Sequence, residues 1–303
     1  MPRRGRWLMA AVLVWCCAAF LSSARAQDAG PTTPLSVTLE TRPAEQTPLG
    51  SPVEVKYTWT VGTGRPLPAP GARVFVAFID GRGQTLFEDD HLPEPAPHEW
   101  RPGQTHTYER TVFIPVVPYI GPVRAAVSLG LGGKDDVLVN PRAATLELTP
   151  QTGNIFLVYK EGWHQMEMAP DRPDQEIVWT MKDAVASFKN PKKDVVIYLE
   201  ADTDTAALRQ AVVTLSIGGK TIHTVSITQP ASFLARVEVD AATLGSSEWV
   251  DLHLAMNRTF TRSGAEGPRE LGLRVHHLYV GEAARFKTAG RPWGLGGEAA
   301  KRR

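Results

Sequence analysis

Val53-Glu54-Val55-Lys56-Tyr57-Thr58-Trp59 sets an apolar side chain at every second position with a polar one between. That is the period of a β-strand with one face in a core and the other in water. Leu35, Val37 and Leu39 alternate in the same way upstream, and Pro43, Pro48, Gly50 and Pro52 separate the two runs. Downstream, Val74-Phe75-Val76-Ala77-Phe78-Ile79 is an unbroken apolar run of strand length ending at Asp80-Gly81, which predicts a central strand covered on both faces. Further strands are expected at Tyr108 to Ile114, Val123 to Leu129 and Ala144 to Leu148, punctuated by Pro115 and Pro118, since proline donates nothing to a sheet ladder.

A second set begins near Ile155 and takes in Glu176 to Thr180, Ala184 to Phe188, Val195 to Glu200, Val212 to Ile217, Lys220 to Ile227, Phe233 to Val239, Trp249 to Met256 and Leu271 to Val280. Gly218-Gly219 reads as a two-residue hairpin turn, in which both central residues need positive φ. The apolar phase slips between Ile222 and Val225, the signature of a bulge. Asp204 to Ala211 and Ala241 to Leu244 offer a helical turn each, and neither is long enough to cross between parallel strands. The polar stretch Pro150-Gln151-Thr152-Gly153 divides the sets. The expected fold is all-β: two tandem immunoglobulin-like or jelly-roll-like β-sandwich domains, 35–150 and 153–283, after a signal peptide.

With Gly 26 and Pro 24 among 303 residues the chain is too turn-rich for a helical bundle, and 43% hydrophobic with 21% charged residues is a globular balance. A net charge of +1 supplies no basic stripe for nucleic acid. Arg3, Arg4 and Arg6 precede an apolar run from Trp7 to Leu21, and Ala24-Arg25-Ala26 follows Ser22-Ser23. About 15 apolar residues fall short of the ~20 that span a bilayer. Residues 1–26 therefore read as a secretory signal peptide rather than an anchor, with 27–34 a linker. Bulky Trp15 beside Cys16 and Cys17 argues against lipid attachment there. Cleavage takes both cysteines and four of the 33 basic residues, so that 29 face 32 acids and no disulfide or thiolate chemistry remains. The expected location is periplasmic or extracellular, with no membrane span after cleavage. Residues 284–303, with six Lys or Arg and one Glu, are expected to be a disordered basic tail.

No H-E-x-x-H, G-x-S-x-G or P-loop occurs. Gly130-Leu131-Gly132-Gly133-Lys134 is followed by Asp135 where a phosphate loop needs Ser or Thr, and reads as a turn. Glu88-Asp89-Asp90-His91 is the best stretch for acid/base or metal work. Asp89, Asp90 and His91 are the candidate metal ligands, with calcium the ion considered and no other cofactor expected. In an extended chain Asp89 and Asp90 face opposite sides, so the competing reading is a solvated, hydrogen-bonded loop. His276 and His277 are likewise expected on opposite faces. Trp59 and Trp179 lie in apolar strand patterns and are expected in the core. Trp100, beside Arg101-Pro102-Gly103, and Trp163, beside Gly162, flank turns and are expected to be better exposed.

Laid out together, Val74 to Asp80, Gly83, Leu86 to His91, Pro93, Trp100, Pro102-Gly103-Gln104 and Tyr108 to Pro115 resemble β-sandwich modules that accompany bacterial membrane glycosyltransferases. Gly162-Trp163-His164 with Glu167, Val178-Trp179-Thr180, Asn190-Pro191, Asn257 with Phe260, and Arg269-Glu270-Leu271-Gly272 resemble a carbohydrate-binding-type accessory sandwich attached to such enzymes. These modules are non-catalytic. The resemblance thus implies an exported binding protein, not an enzyme, that recognises glycan or another cell-envelope component through loops at the sandwich ends. The ligand-binding residues expected are Trp163, which can stack on a sugar, Arg269, which can fork hydrogen bonds, Glu167 and Trp100. The alternative is a structural or assembly module that binds another envelope protein, with Trp163 and Trp179 buried. A hydrolase using Glu167 or Asp89 would need a second carboxylate ~5 to 9.5 Å away in a cleft.

Overall fold

The computed structural model describes residues 35–44, 46–63, 68–133, 136–170, 172–203, 206–228, 232–264 and 267–287. The expected signal peptide, the linker to residue 34 and residues 288–303 of the expected tail lie outside the described residues. The fold is all-β, with helix confined to single turns. No helix among the described residues is long and apolar enough to cross a membrane.

The first half contributes β1 (Ser36–Arg42), β2 (Gln46–Pro48), β3 (Pro52–Thr60), β4 (Arg73–Ile79), β5 (Thr85–His91), β6 (Thr105–Phe113), β7 (Gly121–Gly130) and β8 (Val137–Thr149). One sheet has the order β1-β3-β6 and the other β2-β8-β7-β4-β5. The inner faces follow the alternation: Val53, Val55, Tyr57 and Trp59 of β3 share one buried cluster with Val74, Val76 and Phe78 of β4 and Val123, Ala125 and Val127 of β7. Full burial of such side chains stabilises by about 1.5–3 kcal/mol each. The run Val74 to Ile79 is central in its sheet but fully covered on one face only, with Phe75, Ala77 and Ile79 half-buried. That corrects the expectation of complete cover on both sides.

The second half contributes β9 (Leu157–Tyr159), β10 (Glu167–Ala169), β11 (Arg172–Trp179), β12 (Asp183–Lys189), β13 (Val195–Asp202), β14 (Val212–Ile217), β15 (Lys220–Ser226), β16 (Phe233–Val239), β17 (Trp249–Met256), β18 (Phe260–Gly264), β19 (Gly267–Leu271) and β20 (Arg274–Glu282). Its sheets have the orders β15-β14-β17-β12-β9 and β10-β11-β20-β13-β16, with β18 and β19 a separate hairpin. Ile197 and Leu199 of β13, Val213 and Leu215 of β14, and Leu252 and Leu254 of β17 lie in the shared core. Gly218 and Gly219 have φ of 56° and 77° and close the β14–β15 hairpin as the sequence predicts. The register places Leu215 opposite His223 and Ser216 opposite Thr221, which leaves Ile222 as the extra residue of the expected bulge. The expected strand Leu271 to Val280 is broken at Gly272, where an added Cβ would lie 2.5 Å from Thr180 Oγ1 and 2.8 Å from the Met181 carbonyl. A 3₁₀ turn, Ala283–Phe286, replaces the start of the expected tail and buries Phe286 against Tyr198 and Tyr279.

Both halves belong to one compact unit. Tyr198 of β13, Tyr279 of β20 and Phe286 form a cluster outside the core, against which Phe113 of β6 packs. Phe113 stacks on His277, with ring centroids 4.1 Å apart and planes 6° from parallel. Glu54 of β3 accepts hydrogen bonds at 2.6 Å from the Tyr198 hydroxyl and from Arg236 Nε. The first half thus covers part of one outer face of the second. The outer face of β14, β17, β12 and β9 lies on the far side of the core.

Gly162 turns the chain into Trp163 at φ +81°, and a Cβ there would lie 1.9 Å from the Asp183 carbonyl oxygen and 2.6 Å from Ala184 Cα. Two backbones cannot both yield, so Gly162→Ala is expected to cost more than about 3 kcal/mol. Gly218→Ala, at φ +56° with nothing within 4 Å of its Cβ, is expected to cost about 1 kcal/mol. Urea midpoints of the two variants check the difference.

Candidate functional site

The acidic stretch is strand, not loop: β5 pairs with β4 from Thr85 to His91. Asp89 and Asp90 leave opposite faces, as alternation requires. Asp90 is exposed and takes Arg73, with Nε at 2.8 Å and Nη2 at 2.7 Å. Asp89 accepts from Arg110 Nη2 at 2.8 Å and from His91 Nδ1 at 3.0 Å. His91 is buried, and its Nε2 lies 2.9 Å from the Tyr108 hydroxyl, which also accepts from Trp59 Nε1 at 3.3 Å. One assignment of protons satisfies this chain: Trp59 donates to Tyr108, Tyr108 to His91 Nε2, and His91 Nδ1 to Asp89. It requires a neutral imidazole, and burial accordingly lowers the His91 pKa in spite of the hydrogen bond to Asp89. Burial alone would raise Asp89, but His91 and the Arg110 guanidinium outweigh it and hold the carboxyl below its ordinary value. Asp89, Asp90 and His91 therefore do not converge on a metal, and no group of three potential metal-ligating side chains does so among the described residues.

The sequence-nominated aromatic and charged residues are similarly occupied. Trp100 is 1% exposed, which corrects its expected exposure. The flanking turn folds the ring inward, where Nε1 donates to the Pro95 carbonyl at 2.9 Å and the indole stacks on His106 at 5.3 Å. Trp163 is half-buried against the second core, with Nε1 donating to the Val185 carbonyl at 2.8 Å and its ring 4.3 Å from that of Tyr159. Glu167 and Arg269 do meet, at 3.2 Å, but the other Glu167 oxygen accepts from buried Trp179 Nε1 at 2.7 Å. Since Phe260 and Leu271 pack with Trp179, this group fastens the β18–β19 hairpin to the sheet. Among the described residues no hydrogen bond or ring contact joins Trp163 to it.

His276 and His277 do not face opposite ways. Glu200 pairs with His277 and Ala201 with Val275, which makes His276 the extra residue of a bulge and re-aims its ring. His276 Nε2 lies 2.6 Å from Asp202 and His277 Nδ1 lies 3.0 Å from Glu200, both acids on one face of β13. Arg274 grips Asp202 through Nε and Nη2 at 2.7 Å each. Burial would raise Asp202, but His276 and Arg274 hold its carboxyl down.

The one large exposed indole among the described residues is Trp249, 43% exposed. The register of the outer face sets side chains in rows across the strands. Phe156, Lys189 and Trp249 make the first row, Val158, Ser187 and Asp251 the second, and Lys160, Val185, His253 and Ser216 the third. Phe156 is 61% exposed, and its ring stands edge-on to Trp249 with centroids 6.0 Å apart. Asp251 is bonded to Lys160 at 3.2 Å. The arrangement offers a ring surface beside charged groups at the edge of the face, whereas Ser187 and Val185 on β12 are buried beneath their neighbours. A signal for it was present in the sequence: Val250, Leu252, Leu254 and Met256 are the inward set of β17, and Trp249 stands out of phase with them.

No protein-family model matches the chain, and no curated protein sequence matches it. Among solved structures it is similar over 80% of its length to the secreted serine protease VesC from Vibrio cholerae, at 11% identity, 51% of that chain and a TM-score of 0.25. It is similar over 81% to the mosquito-larvicidal Cry4Aa toxin from Bacillus thuringiensis, at 9% identity, 52% of that chain and a TM-score of 0.25. A third, the M60 catalytic domain with the CBM51-1 and CBM51-2 domains from Clostridium perfringens ZmpB, is similar over 80%, at 8% identity, 31% of that chain and a TM-score of 0.25. The chain spans about half the length of the first two and less of the third. Likeness at this level assigns neither family nor function.

The lowered His91 pKa gives a signed expectation. An unfolded histidine titrates near ~6.5, so below that pH the unfolded chain takes up the proton before the folded one does, and stability falls with pH. The depressed Asp89 adds a second loss as pH drops through the carboxylate range. The urea midpoint of the wild type is expected to exceed that of His91→Gln by less at pH 5 than at pH 7; a gap that widens on acidification would contradict a neutral His91.

Proposed function

We propose that the chain is an exported, non-catalytic binding protein that recognises glycan at the cell envelope, in the periplasm or outside the cell. The observation that carries this reading is the exposed pair Trp249 and Phe156 on an open sheet face, next to Asp251, Lys160 and His253. Aromatic faces stack on the C–H faces of a pyranose while neighbouring polar groups bond its hydroxyls. This moves recognition from the loops at the sandwich ends to the sheet surface. A non-catalytic role is supported by the use of Asp89, Glu167 and Asp202 in ion pairs with Arg110, Arg269 and Arg274. Export is supported by the run from Arg3 to Ala26. The second reading, an assembly module holding another envelope protein, is favoured by the burial of Trp100 and Trp179, which reduces the aromatic surface open to sugars.

A glycan array probed with wild type and Trp249→Ala tests the two. Trp249→Ala is expected to weaken glycan binding at least ~10-fold, or about 1.4 kcal/mol, with an unchanged urea midpoint. Trp100→Ala is expected to cost about 3–5 kcal/mol of stability instead. An array blank for the wild type would favour the envelope-protein reading.

A further inference from the structure

The first row of the open face sets a lysine between two aromatic residues on neighbouring strands. Lys189 is the direct ladder partner of Trp249, and its amide donates to the Phe156 carbonyl at 2.9 Å. Both rings and the cation therefore leave one face within two interstrand spacings, about 10 Å. Two neighbouring charges are already engaged. Asp251, two residues beyond Trp249, is bonded to Lys160, and a hydrogen bond from Ser187, with Lys160 behind it, holds its carboxyl below the ordinary value. Lys192 donates to the carbonyls of Ser246 and Ser247. Lys189 is exposed, and among the described residues no acid pairs with it.

A cation with no acid on its row, flanked by aromatic faces, suits a ring that is apolar on its faces and anionic at its rim. A uronic acid has that pattern, with C–H faces for the indole and a carboxylate for the ammonium. We propose that the glycan held on this face is an acidic one, a uronate-bearing polymer stacked on Trp249 with its carboxylate on Lys189. The proposal rests on the glycan reading above and adds the charge of the sugar to it.

Calorimetric titration of the full chain with polygalacturonate and with its methyl-esterified form tests it. Polygalacturonate is expected to bind at least ~10-fold more tightly than the ester, with the preference shrinking in about 0.5 M NaCl because the pair is exposed to screening. Lys189→Gln should erase the preference and Lys189→Arg restore it, each with the urea midpoint of the wild type. Equal binding of the two forms, abolished for both by Trp249→Ala, would overturn the acidic assignment and leave the glycan reading standing. Binding to neither form overturns it as well; with a blank glycan array the broader reading falls too.

Discussion

Glu54 stands between the two halves of the molecule. It occupies a polar position of the alternating strand whose apolar positions, Val53, Val55, Tyr57 and Trp59, fill the first core. From there it reaches the Tyr198 hydroxyl and Arg236 of the second half. Burial and the adjacent carboxylate push the Tyr198 hydroxyl up, so it stays protonated and donates. The group is partly withdrawn from water, where a charge pair is stronger than on an open surface and the loss of one member leaves the other uncompensated. Its position also orients the second half. With the β20–β13 side turned toward Phe113 and Glu54, the face carrying Trp249 lies on the opposite side of the second core.

The groups that look most like chemistry serve as sutures. β5 is an edge strand of one sheet and β6 an edge strand of the other, so the bonds of Asp89 to Arg110 and of His91 to Tyr108 cross from sheet to sheet. Glu167 and Arg269 join a hairpin to the sheet beneath it. Asp202, Arg274 and His276 lock β13 to β20 around a bulge. The described residues contain no cysteine, and the junctions between their sheets are held by charge-assisted hydrogen bonds.

Much of the fold was legible because period two is written plainly in β3, β14 and β17, and because Gly218-Gly219 and the phase slip at Ile222 carry local signals. β5 is hard to tell from a loop in the sequence because Glu88-Asp89-Asp90-His91 is polar on both faces, and the arginines that neutralise its acids, Arg73 and Arg110, come from other strands. Trp100 was misplaced because its neighbours announce a turn but not the side to which the turn folds the ring. The His276 and His277 faces were misassigned by assuming unbroken alternation. Trp249 needed no tertiary information: its phase within β17, opposite to that of Val250, Leu252, Leu254 and Met256, already points it outward.

The extra residue at His276 ties local chain length to the identity of an entire surface. Pairing has a period of two, so the bulge is what lets Val275 and Val280 face the core while Arg274, His276 and His277 reach acids on the opposite side. Were all nine residues of β20 forced into unbroken alternation, one end of the strand would have to invert, exchanging guanidinium for valine in a dry interior. Without His276 the partners of Ala201 and Glu200, Val275 and His277, would simply be neighbours in a regular strand, so this one residue is removable where a second added beside it is not.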